Sequence, residues 1–200
     1  ITGRPATYVE AVMQFIHGFV PAVFEHGTGI YDQKNYRFFP HPGLKAVKEL
    51  ALIRDIIIKE FVEKGLAMLQ GGKEYTISLF SRDKVLNRQL AGIIMEKAKE
   101  AAALFDFVYS SDSLNITPKG FDKGTGIELL SSLCGVKTEN ILGVGDSPVD
   151  VPFMSRCGFS AAPANAGKEV KAAAIYCSGK SHAEGLEDIL AHFGILDQAG

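Results

Sequence analysis

The run Gly145-Asp146-Ser147-Pro148-Val149-Asp150 carries two carboxylates four residues apart, directly after the apolar stretch Ile141-Leu142-Gly143-Val144. In open α/β sheets ligands sit outside the carboxyl ends of the strands, where such a turn falls. Two carboxylates at that place repel each other unless a cation lies between or beside them. Magnesium takes oxygen ligands in octahedral geometry and keeps several waters, so one direct and one water-linked carboxylate suit it. The same spacing also serves a helix with no metal, with Asp at the N-cap and a second Asp in the first turn. The spacing alone leaves both readings open. A dinucleotide loop fits worse. Gly143-Val144-Gly145 begins like G-x-G-x-x-G, but Pro148 stands where the third glycine belongs, and Asp146 would repel a pyrophosphate.

Two further stretches have phosphate chemistry. In Lys119-Gly120-Phe121-Asp122-Lys123-Gly124, Asp122 has N-cap character and puts Lys123 in the first turn of a helix. A cation there is disfavoured by the helix dipole by about 0.3–1 kcal/mol, a cost more readily carried where an anion is bound. A solvated surface lysine is the plainer alternative. Thr2-Gly3-Arg4-Pro5 offers a hydroxyl and backbone amides at a strand-to-helix turn, which can hold a phosphoryl oxygen. Thr2 as a simple N-cap is the plainer alternative there.

Taken in order, Thr2-Gly3-Arg4, Asp122-Lys123-Gly124 and Gly145-Asp146-Ser147-x-x-Asp150 resemble the second, third and fourth motifs of the haloacid dehalogenase superfamily. Pro21 to Gly27 and Ala164-Asn165-Ala166 extend the resemblance to the Cof-type branch with an α/β cap. That branch includes archaeal phosphoglycolate, sucrose-phosphate and mannosyl-3-phosphoglycerate phosphatases. The resemblance implies a magnesium-dependent phosphomonoester hydrolase that acts on a sugar phosphate or phosphorylated sugar acid through an aspartyl-phosphate. By the same resemblance Thr2 bonds the phosphoryl group with the Gly3 amide beside it, and Arg4 and Asn165 join the phosphate- and substrate-binding set. Lys123 neutralises charge on the transferring group, Asp146 binds Mg2+ directly, and Asp150 acts in the shell behind it. The alternative is a non-catalytic phosphate- or metal-binding module derived from such an enzyme.

Three departures bear on that choice. The family's Asp-x-Asp, which supplies nucleophile and general acid, occurs nowhere in these residues; Glu25-His26-Gly27 replaces Glu-Asn-Gly; and Val149 stands where Asn is usual. In this fold the Asp-x-Asp strand lies at the sheet centre, so its absence would leave two neighbours with unpaired ladder groups. The chain opens Ile1-Thr2-Gly3 rather than with Met, and it is therefore expected to be a piece of a longer protein with the nucleophile upstream.

The elements that must position these residues suggest an α/β protein. A Rossmann-like, doubly wound parallel sheet, incomplete at its N-terminal strand, is expected to carry an inserted α/β cap. The expected division is 1–35 and 114–200 for the core and 36–113 for the cap. In the core, a helix over Tyr8–His17, strands at Ala22–Phe24 and Ile141–Val144, and a helix over Lys123–Cys134 are predicted. A strand near Phe159–Ala161 and a helix over Leu186–Phe193 complete it. In the cap, helical spacing runs from Leu44 to Phe61 and from Leu86 to Leu104, with strands at Tyr75–Phe80 and Phe107–Tyr109. Asn35–Gly43, with Pro40 and Pro42, and Thr117–Gly120 read as linkers. Arg37, Lys73, Arg82 and Arg88 are the cap charges available to a substrate.

Apolar residues make up 46% and charged residues 22% of the chain, and the net charge is −2, so there is no electrostatic footprint for nucleic acid or anionic membrane. The three cysteines, Cys134, Cys157 and Cys177, have no metal-binding spacing and fit reduced thiols in the cytoplasm. The expected partner is a small phosphorylated metabolite, with no nucleic acid and no membrane; the oligomeric state is left open.

Overall fold

Leu114 and Ile116 alternate with polar residues in Ser113–Pro118 (β7), the pattern of a strand with one apolar face. The computed structural model describes residues 1–81, 84–109 and 113–196, with backbone alone for 84–88. In it, β7 is an inner strand of an antiparallel sheet, order β4-β5-β7-β6. It pairs with β5 (Ile77–Phe80) and β6 (Phe105–Tyr109), and β4 (Met68–Leu69) pairs with the far side of β5. Register sets Ile77 opposite Ile116 and Leu79 opposite Leu114, which gathers four apolar side chains on one face. Helices α2 (Val47–Ile57) and α3 (Lys84–Lys97) cover that face, and Ile53, Ile57, Leu90 and Ile94 join the same core. Each such buried side chain contributes about 1.5–3 kcal/mol. The other face differs: Thr76 and Ser78 are buried there too, though polar.

The helix read from Leu86 to Leu104 is broken at Ala98, where φ is −129°, and resumes as α4 (Lys99–Ala102). The first helix of this region runs on into one π turn, Ile58–Val62, which carries Phe61 into the core.

A second antiparallel sheet, order β1-β2-β3, comprises Ala22–Phe24, Gly29–Asp32 and Arg37–Pro40. Helix α1 (Ala6–Phe15) packs Val9 and Met13 against Phe24 and Tyr31. The stretch Asn35–Gly43 is therefore not wholly a linker. Its Pro40 is compatible with a strand because β3 is an edge strand and Pro40 is its last residue. Likewise Thr117 and Pro118 end β7 instead of standing outside it.

The chain divides into two compact units, Ile1–Phe121 and the residues from Asp122 onward. The second contains a parallel sheet, order β10-β9-β8, of Leu142–Val144 (β8), Phe159–Ala162 (β9) and Tyr176–Cys177 (β10). The β8–β9 connection holds α6 (Val151–Met154), and α7 (Lys168–Ala173) joins β9 to β10. With α5 (Lys123–Cys134) before and α8 (His182–His192) after them, this is the Rossmann-like α/β pattern. Ile127, Phe153, Met154, Ala162 and Val170 form its core. The strand Ile77–Phe80 belongs to a different sheet from Leu142–Val144.

Candidate active site

The two carboxylates of the Gly145–Asp150 turn have opposite environments. Gly145 follows β8, and its N–H bonds Ala161 O at 3.2 Å. A Cβ on Gly145 would stand 2.5 Å from Asp150 Cβ and 2.6 Å from Met154 Sδ, so only glycine lets Asp150 fold back against the strand end. Asp150 is buried, and its Oδ2 accepts from the N–H groups of Asp146 (3.2 Å) and Ser147 (3.0 Å). Its Oδ1 accepts from Lys123 Nζ. Ser147 caps the short 3-10 turn Pro148–Asp150, and Asp150 closes that capping box. The helix-cap reading therefore holds for Asp150 with Ser147 as the cap, and Asp146 is not an N-cap.

Asp146 is exposed, and its carboxylate makes no hydrogen bond or ion pair among the described residues. Lys123 opens α5, whose N-cap Asp122 accepts from Thr125 N–H at 2.8 Å. Gly124 beside it is needed for packing, since a Cβ there would lie 2.8 Å from the Pro152 carbonyl and closer still to the Arg156 guanidinium. The side chains of Lys123 and Asp150 are only 13% and 8% exposed, so the pair is held away from water.

Among the described residues no three His, Cys, Asp or Glu side chains stand together as a metal cage. Magnesium does not require one, because it is commonly held by one or two carboxylates and keeps its waters. Asp146, exposed, oxygen-bearing and unspent at the end of β8, fits that donor chemistry. Asp150 does not offer a free oxygen, and it fits a role behind the first ligand.

Thr2, Gly3 and Arg4 form a second constellation. Thr2 N–H donates to Val23 O at 3.0 Å, and the N–H groups of Glu25 and His26 return bonds to Arg4 O and Thr2 O at 3.0 and 3.1 Å. Thr2 Oγ1 accepts from Arg4 N–H at 3.1 Å, whereas α1 is preceded by Pro5 with no side-chain cap. Thr2 therefore does not cap α1, and its hydroxyl lies in the turn. A Cβ on Gly3 would come within 2.4 Å of the His26 ring. The Arg4 guanidinium sits 5.5 Å above the Tyr8 ring.

These three residues line a cavity of about 260 Å³ together with Lys73, Ser78 and Asn115. Glu25 holds the segment that carries Lys73. It is fully buried, with Oε1 accepting from Glu74 N–H at 2.9 Å. Oε2 accepts from the N–H groups of Tyr75 and Thr76 at 3.0 and 2.8 Å and from Thr76 Oγ1 at 2.9 Å. Glu25 and His26 both have positive φ, 43° and 60°, a conformation that costs about 1–3 kcal/mol per non-glycine residue. The carboxylate bonds hold that strained turn in place.

Asn165 lies apart from Lys123 and Asp150 in the hydrogen-bond network; its Oδ1 accepts from His182 N–H at 2.7 Å at the start of α8. Of the cap charges, Arg37 is exposed on β3, and Arg82 and the side chain of Arg88 lie outside the described residues. Of the two that are described in full, Lys73 lines the cavity. Ser78 and Asn115 went unread in the sequence, although the polar positions alternating with Ile77, Leu79, Leu114 and Ile116 were a signal for them.

The sequence profile of haloacid dehalogenase-like hydrolases matches residues 78–190. The chain belongs to this family. A phosphoglycolate phosphatase from Methanothrix thermoacetophila is 39% identical over 87 residues, which are 44% of this chain and 39% of that protein. The chain thus spans about two fifths of the length of such curated relatives. A Thermoplasma acidophilum protein of known crystal structure superposes with a TM-score of 0.74 at 21% identity, covering 97% of this chain and 81% of that one. A HAD/Cof-like hydrolase from Plasmodium vivax gives a TM-score of 0.72 at 20% identity, covering 98% and 82%. The fold is therefore that of the Cof-type haloacid dehalogenase-like hydrolases.

Proposed function

We propose that the full-length protein is a magnesium-dependent phosphomonoester hydrolase acting on a small phosphorylated metabolite, a sugar phosphate or a phosphorylated acid. The phosphoryl group passes from the leaving oxygen to an Asp carboxylate, and water then hydrolyses the acyl phosphate. That carboxylate belongs to the Asp-x-Asp motif that these residues do not contain. The single observation that carries the reading is the division of labour in the Gly145–Asp150 turn. Asp146 is left open at a strand end, while Asp150 is buried and holds Lys123.

In this reading Lys123 balances charge on the transferring group, and Asp150 fixes where the ammonium stands. Asp146 is the protein ligand to magnesium, which when bound neutralises phosphoryl oxygens. Thr2 and the Gly3 amide take the phosphoryl oxygens on the other motif, Asn165 joins the substrate-binding set, and the segment expected at 36–113, carried on to Pro118 by β7, serves as the cap. The Methanothrix relative is called a phosphoglycolate phosphatase, which supports a small phosphorylated acid as substrate.

The test is hydrolysis of 2-phosphoglycolate by the full-length protein with magnesium and with a chelator. Turnover that needs magnesium and falls at least about 100-fold in Lys123→Ala is expected. Phosphate binding without any turnover would instead support the non-catalytic module, which Val149 permits.

A further inference from the structure

Lys73 is 6% exposed, and its Nζ donates to Ser78 Oγ at 2.5 Å. Ser78 Oγ donates in turn to Asn115 Oδ1 at 2.5 Å, and Asn115 Nδ2 to Ser113 Oγ at 3.3 Å. Register explains the relay, since Ser78 and Asn115 are paired across β5 and β7 on the face away from the apolar core. An ammonium has three protons to donate, and one is placed here. No carboxylate reaches ion-pair distance of Lys73 among the described residues. Glu25, the acid whose charge acts on Lys73, spends both oxygens on Glu74, Tyr75 and Thr76.

A buried ammonium with no counter-ion is costly, and proteins otherwise pair or neutralise it. This one opens on the cavity that Thr2, Gly3 and Arg4 also line, so two cations face the same space. At about 260 Å³ that space is just below the usual range of small-molecule pockets and suits a short ligand.

We propose that Lys73, held by Ser78 and Asn115, receives a carboxylate of the substrate, so that the preferred substrates are short phosphorylated carboxylic acids. The proposal deepens the phosphatase reading, because it rests on Thr2 and Gly3 taking the phosphoryl end. Arg4 supplies the second positive charge near that carboxylate. Burial, with Arg4 adding to it and Glu25 opposing, lowers the Lys73 pKa to about 8. The ammonium is thus charged at pH 7 and is lost as pH rises through that value.

The experiment is calorimetric titration of the full-length protein with 3-phosphonopropionate and with propylphosphonate. Both are non-hydrolysable, and they differ in the carboxylate. Wild type should prefer 3-phosphonopropionate by about 10-fold or more at pH 7. Lys73→Gln should bring that ratio below about 3-fold, and Lys73→Arg should keep most of it. Arg4 and His26 also line the cavity, and the charge of Glu25 acts on Lys73. What they do to the shared phosphonate cancels in the ratio, and the pull of Arg4 on the carboxylate is common to wild type and the Lys73 variants. A wild-type ratio that declines between pH 7 and 9.5, and does not in Lys73→Arg, supports the assignment without a charge-removing variant. Equal binding of the two probes, no binding of either, or an undiminished preference in Lys73→Gln overturns it. Because neither probe is hydrolysed, an inactive protein is still tested. An active phosphatase with no carboxylate preference would sink this inference alone.

Discussion

Asp146 and Asp150 are the same residue type four positions apart, and the turn between them gives them different duties. Asp150 accepts two backbone N–H bonds and the Lys123 ammonium, whereas Asp146 is exposed and its carboxylate has no partner among the described residues. Asp150→Asn would leave the largely buried Lys123 side chain without its partner and turn an amide NH2 toward another donor. Breaking one side of such a pair costs about 3–5 kcal/mol. Asp146→Asn should shift stability by no more than about 0.5 kcal/mol while removing magnesium-dependent turnover. Urea unfolding of both full-length variants checks this, and equal midpoints would show that the Lys123–Asp150 pair is not structural. From the sequence, the spacing of these carboxylates was readable, as was the N-cap at Asp122. Which oxygen of Asp150 meets which donor was not, because that depends on Gly145 allowing the side chain to fold back. Lys73 was one basic residue among several in the sequence. Its burial follows from a strand pairing that no local pattern announces.

At the scale of elements, Glu25 joins the turn after β1 to the segment entering β5. Three backbone N–H groups and one hydroxyl from Glu74 to Thr76 converge on it. Glu25→Gln keeps the shape but puts an NH2 where an acceptor is needed, leaving at least one buried donor unsatisfied. The loss should be about 1–3 kcal/mol, with Glu25→Ala worse. Unfolding midpoints and hydrogen exchange at Glu74–Thr76 measure it, and unchanged protection there would mean that the carboxylate is not what holds the segment. The long helices and the strand before Gly145 were legible because their apolar spacing is regular. The strands β3 and β7 were harder to read, since Pro40 and Pro118 mark linkers as often as strand ends. Both prolines sit at the last residue of their strand, where a missing N–H disturbs the ladder least. The break at Ala98 has no proline or glycine to announce it.

At the scale of the whole molecule, each unit carries part of the machinery that the family motifs imply. The unit from Ile1 to Phe121 has the Thr2–Arg4 turn and the Lys73 cavity, and the unit from Asp122 onward has Lys123, Asp146 and Asp150. Neither contains Asp-x-Asp. Covalent phosphoryl transfer needs a nucleophile, and the carboxylates present are poorly suited to the task. Asp150 is bound to Lys123, Glu25 is buried under four donors, and Asp146 is committed to metal in the proposed site. Residues 1–200 produced alone should therefore bind without turning over. The expected result is p-nitrophenyl phosphate hydrolysis with magnesium no faster than that of the same segment carrying Lys123→Ala. The full-length protein should exceed both by orders of magnitude. Phosphonate titration of the same segment should still register the Lys73 cavity, so that binding and catalysis come apart in one preparation. Turnover by the segment at about 1 per second or more, the ordinary range for enzymes, would place the nucleophile among these residues. Asp146 would then be the first candidate, as the one motif carboxylate here with no internal partner among the described residues.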